Sequence, residues 1–247
     1  MPHSGSKAAR ATPRERSLRL VEEPTAVTTV PVQERAEALN RAINVIIAVV
    51  ALILLSPVFL LIAVLVKVTS RGPVFYSQTR VGIDRRSGRA SAPSHRRIQD
   101  LGGQIFTIYK FRTMCVNAEH LSGAVWAAQG DPRITSVGGI LRKYRLDELP
   151  QLINVLTGDM NIVGPRPERP SIFMKLRKDI NGYSWRQRAK PGITGLAQIN
   201  QHYDASVEDV RNKLRFDLIY LSRQGILEDL KIMLKTVPVI LFKRGGW

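Results

Sequence analysis

The chain has 247 residues, of which 44% are hydrophobic, and carries a formal net charge of +17. This length and composition are those of a folded protein with one globular domain and an attachment, or with two small domains. The only cysteine, Cys115, excludes an intrachain disulfide and is compatible with a reducing compartment.

The positive charge is concentrated in one part of the chain. Residues 1–41 carry seven Lys and Arg against five Asp and Glu, whereas residues 67–247 carry thirty against fifteen. A basic region that follows a long apolar segment points to the cytoplasmic face of a membrane, to anionic lipid or to phosphorylated ligands. Nucleic acid is the alternative partner for such a charge.

In chain order, the first segment is a polar tail. Residues 1–37 have no sustained hydrophobic period, and we expect them to be disordered. The apolar stretch that follows begins too late and runs too long for a secretory signal peptide.

The second segment, residues 38–70, contains 25 consecutive uncharged residues from Ala42 to Val66. As a straight helix this run would be about 37 Å long, enough to cross a hydrocarbon core of about 30 Å. A single transmembrane helix is therefore the first interpretation.

Two features favour a re-entrant hairpin as the alternative. Pro57 cannot donate a backbone hydrogen bond and clashes with the carbonyl of Ile53, for which the hydroxyl of Ser56 is the nearest new partner. Both flanks of the run are also basic, and a positive-inside preference at both ends would keep them on one face. The flanking cations are Arg35, Arg41, Lys67 and Arg71.

The next segment mixes strands with short helices. Strands are predicted where β-branched and aromatic residues cluster, and helices where apolar residues recur at helical spacing. A basic loop at 82–103 lies between the two strands, and Gly158 ends the second helix. The predicted strands and helices are, in order, 73–78, 105–109, 134–144 and 149–156.

Two amphipathic helices are predicted near the C-terminal end. In the first, apolar residues recur at spacings of 3, 4, 4 and 3 over 207–221, after a possible capping box of Ser206 and Asp209. In the second, an apolar stripe covers 227–241. We expect the first stripe to pack in the core; for the second, contact with a membrane surface is an equal alternative.

Two adjacent carboxylates, Asp147 and Glu148, directly follow the cations Arg142, Lys143 and Arg145. Asp147 could simply be a helix N-cap, but a helix start also binds anions. The neighbouring cations are expected to lower the pKa of Asp147, and an ionised Asp that faces a phosphate can act as a nucleophile. Glu148 points about 100° away and would either hold Mg²⁺ or remain a solvated first-turn residue.

Further cations are candidates for phosphate binding. Arg166 lies between Pro165 and Pro167, which restrict the backbone and present the guanidinium for bidentate binding of a phosphate or a planar base edge. Lys110 and Arg112 follow a predicted strand and share a face if the chain is extended; otherwise they are an exposed strand end.

Several short blocks occur in a fixed order along the chain. Together they closely resemble the bacterial sugar transferase family, the monotopic polyprenyl-phosphate phosphoglycosyl transferases, over roughly residues 38–245. The blocks are Lys110-Phe-Arg-Thr-Met, Asp131-Pro-Arg-Ile-Thr, Leu146-Asp-Glu-Leu-Pro-Gln, Asn154-Val-Leu-Thr-Gly-Asp-Met, Val163-Gly-Pro-Arg-Pro and Lys190-Pro-Gly-Ile-Thr-Gly.

The resemblance implies transfer of a sugar-1-phosphate from a UDP-sugar to undecaprenyl phosphate at the cytoplasmic face of the bacterial inner membrane. Such a step initiates the synthesis of exopolysaccharide, O-antigen or a related glycoconjugate. By match to the family's Asp-Glu pair, Asp147 would form a covalent phosphoglycosyl-aspartate and Glu148 would help to bind Mg²⁺. Arg142 would bind the phosphates and Arg166 the nucleotide.

The resemblance also implies the architecture. We expect an α/β (mixed, helix-rich) catalytic domain over 71–247, attached to one re-entrant membrane helix over 38–70 that is broken at Ser56-Pro57. The chain has room only for the family's minimal core. It departs from the family at Arg145, where Ser is frequent, and at Leu196, where Trp is frequent, and both positions bear on contacts with the sugar or the lipid.

The expected partners are a UDP-sugar, undecaprenyl phosphate and membrane lipid, and not nucleic acid. The non-catalytic alternative is a membrane-anchored basic domain, which has no need of an Asp-Glu pair among arginines. The enzymatic alternative is an ordinary glycosyltransferase, which would release UDP in place of UMP.

Overall fold

The computed structural model describes residues 32–85, 101–116, 118, 131–201 and 206–242. The expectations for residues 1–31 and for most of the loop at 82–103 lie outside these ranges. The described chain is helix-rich with a few short strands, as expected. Its helices are α1 (Glu37–Thr69), α2 (Ser136–Lys143), α3 (Gln151–Thr157), α4 (Pro170–Asp179), α5 (Leu196–Asn200), α6 (Val207–Arg223) and α7 (Ile226–Leu241). The strands are β1 (Phe75–Val81), β2 (Ile105–Phe111), β3 (Asn161–Val163) and β4 (Gly192–Thr194), and 3-10 turns lie at Leu146–Glu148 and Tyr183–Arg188.

Helix α1 continues through Pro57, so the predicted break at Ser56-Pro57 is not an interruption of the helix. The carbonyl of Ile53 loses its usual donor there, because proline has no N–H. Ser56 Oγ donates to that carbonyl at 2.8 Å, as the sequence indicated. This hydroxyl supplies the donor that allows the helix to continue in an apolar environment.

One face of α1 packs against the rest of the protein along its whole length. Asn44 and Ala48 are buried near its start, and Ile62 and Val66 near its end. The opposite face is apolar and exposed; it includes Ile46, Val49, Val50, Ile53, Leu54, Leu60, Leu61, Val64, Leu65 and Val68. By length and composition α1 could cross a membrane. Contact with lipid is the environment that accounts for an apolar face of this extent.

The segment before α1 is held against the C-terminal helices. Gln33 N donates to the carbonyl of Leu221 at 3.1 Å. Arg35 pairs with Asp229 Oδ1 at 3.2 Å. The prediction of a disordered tail up to residue 37 is therefore wrong for residues 32–36, because α6 and α7 supply partners that the local sequence does not show.

The end of α1 is held by Arg112. Its guanidinium donates to the carbonyls of Ser70 and Arg71, each at 2.8 Å, and Arg112 is buried. Both ends of α1 therefore contact the same folded domain.

Two small sheets position the loops of the site. The predicted strands are confirmed: β1 and β2 form an antiparallel pair, with Phe75 opposite Phe111 and Val81 opposite Ile105. Strands β3 and β4 are parallel. Glycine is required beside this second pair, since a Cβ on Gly192 would lie 2.0 Å from the backbone nitrogen of Gly164.

The predicted helices are confirmed within a few residues of their expected ends. Gly158, in the left-handed region with φ 88°, ends α3. Ser206 and Asp209 form the expected capping box of α6, and residues of its apolar stripe such as Leu221 are buried. The stripe of α7 is exposed instead, from Leu227 to Leu241, so core packing is excluded for it.

Candidate active site

Asp147 lies in the 3-10 turn that connects α2 to α3. The next helix begins at Gln151, with Pro150 at its N-cap and no side-chain cap. The N-cap interpretation of Asp147 is therefore wrong. A cap at Asp147 would place Pro150 at the third helical position, where it has no N–H to donate.

Arg145 starts this turn in the left-handed region, with φ 54° and ψ 21°. Among the described residues it is the one non-glycine residue with positive φ. This conformation costs about 1–3 kcal/mol and persists where surrounding contacts impose it, often at functional sites. The turn that follows brings both carboxylates inside: Asp147 is 8% and Glu148 5% exposed.

Three cations surround the carboxylate of Glu148. Lys110 Nζ lies 2.8 Å from Oε1, and the guanidinium of Arg145 lies 3.7 Å from Oε2. Arg166 makes a two-pronged contact, with one nitrogen on Oε1 and the other 3.2 Å from Oε2. Burial alone would raise the pKa of Glu148, but Arg166 and Lys110 hold it well below its ordinary value. Glu148 is therefore ionised, and its contacts bring predicted site residues from three parts of the chain together.

The carboxylate of Asp147 has different surroundings from that of Glu148. Within the part of the chain that the structure describes, its carboxylate accepts no hydrogen bond and has no ion pair within 4 Å. Burial raises its pKa to about 6; Lys110 lowers the pKa and the charge of Glu148 raises it. The expectation that neighbouring cations lower this pKa is wrong, because desolvation of the carboxylate outweighs them. Asp147 is still mostly ionised at neutral pH.

The remaining predicted cations separate into two groups. Arg142 is close enough to Asp147 to lower its pKa and belongs to the site. Arg112 does not, because its two terminal guanidinium nitrogens donate to Ser70 and Arg71 at the end of α1. Lys110 and Arg112 therefore do not act together, although they are one residue apart.

The loop that carries Arg166 is fixed by its backbone carbonyls. Gly192 N donates to Pro165 O at 3.0 Å, and Arg80 donates to Pro167 O at 3.1 Å. Pro165 and Pro167 are themselves buried, so their role is to hold the loop and present Arg166.

Arg186, which the sequence did not mark as a site residue, also holds this loop by a hydrogen bond to the backbone of Arg166. It is 1% exposed and donates to Arg166 O, to Tyr183 Oη and to Asp217 Oδ2, each at 2.8 Å. Every nitrogen of its guanidinium thus has a partner. No sequence motif marks Arg186, since a buried arginine cannot be told from a surface arginine by residue type alone.

An apolar cleft of about 190 Å³ lies beside the acid pair. Its walls come from α1, β4, α5 and α7, and Leu149 and Leu152 also belong to its lining. Arg145 and Glu148 are its only charged lining residues in the described chain.

The fold and the site together define a class: a domain attached through a long apolar helix, with a buried carboxylate pair among cations that suits a phosphate ligand. The family model for bacterial sugar transferases matches residues 35–243, and the chain belongs to this family.

Two of the three similar proteins that follow carry names that describe one type of reaction. The chain is 40% identical over 208 residues to UDP-N-acetylgalactosamine-undecaprenyl-phosphate N-acetylgalactosaminephosphotransferase of Aeromonas hydrophila, covering 84% of this chain and 45% of the relative. It is 39% identical over 224 residues to UDP-glucose:undecaprenyl-phosphate glucose-1-phosphate transferase of Escherichia coli K12, covering 88% and 44%. It is 36% identical over 222 residues to exopolysaccharide production protein ExoY of Sinorhizobium fredii, covering 84% and 88%. The chain thus spans less than half the length of the first two relatives and most of the third.

Proposed function

We propose that the protein transfers a sugar-1-phosphate from a UDP-sugar to undecaprenyl phosphate, with Asp147 as a covalent nucleophile. The observation that carries the proposal is the difference between the two carboxylates: Glu148 is held by three cations, whereas Asp147 is buried beside them with no hydrogen bond. The names of the relatives support the choice of donor and acceptor.

In the first step, a carboxylate oxygen of Asp147 attacks the β-phosphorus of the UDP-sugar. The bond from that phosphorus to the bridging oxygen breaks, and UMP leaves with the electron pair. In the second step, a phosphate oxygen of undecaprenyl phosphate attacks the same phosphorus and the bond to Asp147 breaks, so the carboxylate is regenerated. This order gives ping-pong kinetics.

The cations bind and orient the donor. Arg142 and Lys110 would contact its phosphates, and Arg166, fixed by its loop, would contact the nucleotide or the diphosphate through its planar guanidinium. Because Lys110 and Arg166 already contact Glu148, they are held in place before the donor arrives, which is how fixed cations stabilise charge that shifts during transfer.

Mg²⁺ fits this site only together with the donor. It typically binds one or two protein carboxylates and completes its shell with phosphate oxygens and water. Asp147 and Glu148 meet that need, and the described chain has no cluster of three or more His, Cys, Asp or Glu that would hold an ion alone. Glu148, with Asp147 beside it, would hold the ion, whose charge would neutralise the diphosphate when bound. Chelation with EDTA should therefore stop UMP release, and added Mg²⁺ should restore it.

We also propose that α1 enters and leaves by one, cytoplasmic, face of the bacterial inner membrane. The contacts of Gln33 and Arg112 support this, because a spanning helix would place one of its ends across the bilayer from the domain that both ends touch. Single-cysteine labelling of Glu34→Cys and Ser222→Cys, in a Cys115→Ser background, tests it. Both should be protected from a periplasmic reagent in intact cells; labelling of Glu34→Cys alone would mean a spanning helix.

The reaction is tested without the acceptor. UDP-sugars labelled in the sugar and the β-phosphate are screened with the protein in nanodiscs. The accepted donor should label the wild-type protein and release UMP, whereas Asp147→Asn should do neither. Release of UDP would indicate an ordinary glycosyltransferase, and a folded Asp147→Asn protein that still transfers phosphosugar would overturn the assignment.

A further inference from the structure

The cleft beside the acid pair is continuous with the lipid-facing surfaces of two helices. Ala51 and Leu55 of α1 form part of one wall, and Val239 and Ile240 of α7 part of the other. Adjacent residues on the same helices, such as Leu54 at 71% and Val237 at 54% exposed, belong to the apolar outer faces. With both outer faces in lipid, an apolar chain would reach the cleft without passing through water.

The polarity of the cleft is divided between one charged turn and apolar walls. Arg145 and Glu148, three residues apart, supply its charge, and Asp147 lies between them. The three uncharged polar residues of the lining already have partners: Thr194 and Thr236 bond to each other through their hydroxyls at 2.8 Å, and Gln198 Nε2 donates to the carbonyl of Ile193 at 3.3 Å. This pattern fits a molecule with one anionic end and a long apolar chain. It does not fit a nucleotide sugar, which is polar throughout.

The apolar walls serve alignment more than affinity. Lipid chains are as apolar as the cleft, so moving a hydrocarbon chain from the bilayer into it brings little free energy. A phosphate paired with Arg145 would supply most of the binding. The cleft has a volume of about 190 Å³, which is too small for a whole undecaprenyl chain. It therefore holds only the part of the chain nearest the phosphate.

We propose that this cleft binds the acceptor lipid, with the phosphate-proximal isoprene units between α1 and α7 and the phosphate at Arg145. The proposal rests on the proposed function for the identity of the acceptor. It assigns Arg145 to the phosphate of the acceptor, and Arg142 and Arg166 to the donor.

Cysteine protection tests the site without any turnover. In a Cys115→Ser background, maleimide labelling of Val239→Cys is measured in nanodiscs with undecaprenyl phosphate or with the uncharged undecaprenol, and Val237→Cys is the matched control on the outer face. Undecaprenyl phosphate should slow labelling of Val239→Cys about tenfold or more, equivalent to about 1.4 kcal/mol, and leave Val237→Cys unchanged. No protection of Val239→Cys, or equal protection of both positions, overturns the proposal. This result is independent of whether the protein transfers a sugar phosphate.

The second test compares the effect of one substitution on the two half-reactions, UMP exchange and transfer to undecaprenyl phosphate. Leu55→Trp narrows the cleft, and Leu54→Trp adds the same bulk outside it. Exchange of labelled UMP into the UDP-sugar needs no acceptor and should be unchanged in both variants. Transfer to undecaprenyl phosphate should fall about tenfold or more in Leu55→Trp only. Equal loss of exchange and transfer, or retention of both, would place the acceptor elsewhere.

Discussion

Two buried charged clusters contact Arg166, one at its backbone carbonyl and one at its guanidinium, and they differ in whether every charged group has a partner. In the cluster at the carbonyl, Arg186 donates to Asp217, to Tyr183 and to that carbonyl, at 2.8 Å each. In the cluster at the guanidinium, Glu148 has three cationic partners while Asp147 has no hydrogen bond within the described chain.

The difference supports a structural role for the first cluster and the proposed ligand-binding role for the second. A buried charge without a hydrogen-bonding partner raises the free energy of the folded state, and proteins retain such groups where function needs them. The guanidinium of Arg186 has a partner for every nitrogen, whereas the second cluster holds the proposed nucleophile beside cations that a phosphate could contact. Four predictions test this contrast.

Asp147→Asn should have the largest effect on activity. Removal of a nucleophile typically lowers the rate by about 10⁴–10⁶. The same change should not destabilise the protein: because burial raises the pKa of Asp147 to about 6, a neutral amide should increase the free energy of unfolding at pH 8 by about 1–3 kcal/mol. UMP exchange and thermal unfolding in nanodiscs measure the two effects. A variant that is both inactive and clearly less stable would contradict the contrast.

Glu148→Gln should have the opposite effect on stability. The substitution leaves Lys110 and Arg166 without their carboxylate, and breaking a buried ion pair costs about 3–5 kcal/mol. The melting temperature should fall well below that of wild type, together with activity. Glu208→Gln is the matched control, because the Glu208 side chain is 63% exposed and should contribute almost nothing.

Arg166 and Arg186 should separate contact with the donor from support of the loop. Arg166→Ala should lower the rate by about 10²–10³, and Arg166→Lys should recover part of it. Arg186→Lys keeps the charge but loses the planar fork of donors that reaches three separate acceptors, so the KM for the UDP-sugar should rise about tenfold as Arg166 is displaced. Arg211→Lys, with a side chain that is 53% exposed, is the control. If Arg186→Lys lowers stability without changing KM, Arg186 is structural only.

The pH dependence should show the smallest effect. The first half-reaction needs ionised Asp147, so its rate should fall about tenfold per pH unit below about 6. For stability the sign is reversed: a raised pKa favours the folded state at low pH, and this contribution is lost as pH rises through about 6. The stability gain of Asp147→Asn should therefore be small near pH 4 and complete by about pH 7. A gain of equal size at both pH values would mean that ionisation of Asp147 is not its cause.

Short-range rules in the sequence determined the elements and much of the site. The individual segments β1 and β2, the capping box of α6, the end of α3 at Gly158 and the bond from Ser56 to Ile53 each depend on residues no more than a few positions apart. The order of the motif blocks indicated the family, and the residue types of Asp147, Glu148 and Arg166 indicated phosphate chemistry.

Only the tertiary structure decided which charges meet and how deeply they are buried. Lys110 and Glu148 are 38 positions apart and Arg186 and Arg166 are 20 apart, so no local pattern links them. Arg112 donates to the carbonyl of Ser70, 42 positions before it, and therefore contacts the end of α1. It does not act together with Lys110, its near neighbour in the sequence. The pKa of Asp147 rises although its sequence neighbours are cations, because desolvation depends on what packs around the carboxylate. Burial is a property of the folded chain, and that is why Asp147 could be proposed as the nucleophile from the sequence while its electrostatics could not be predicted.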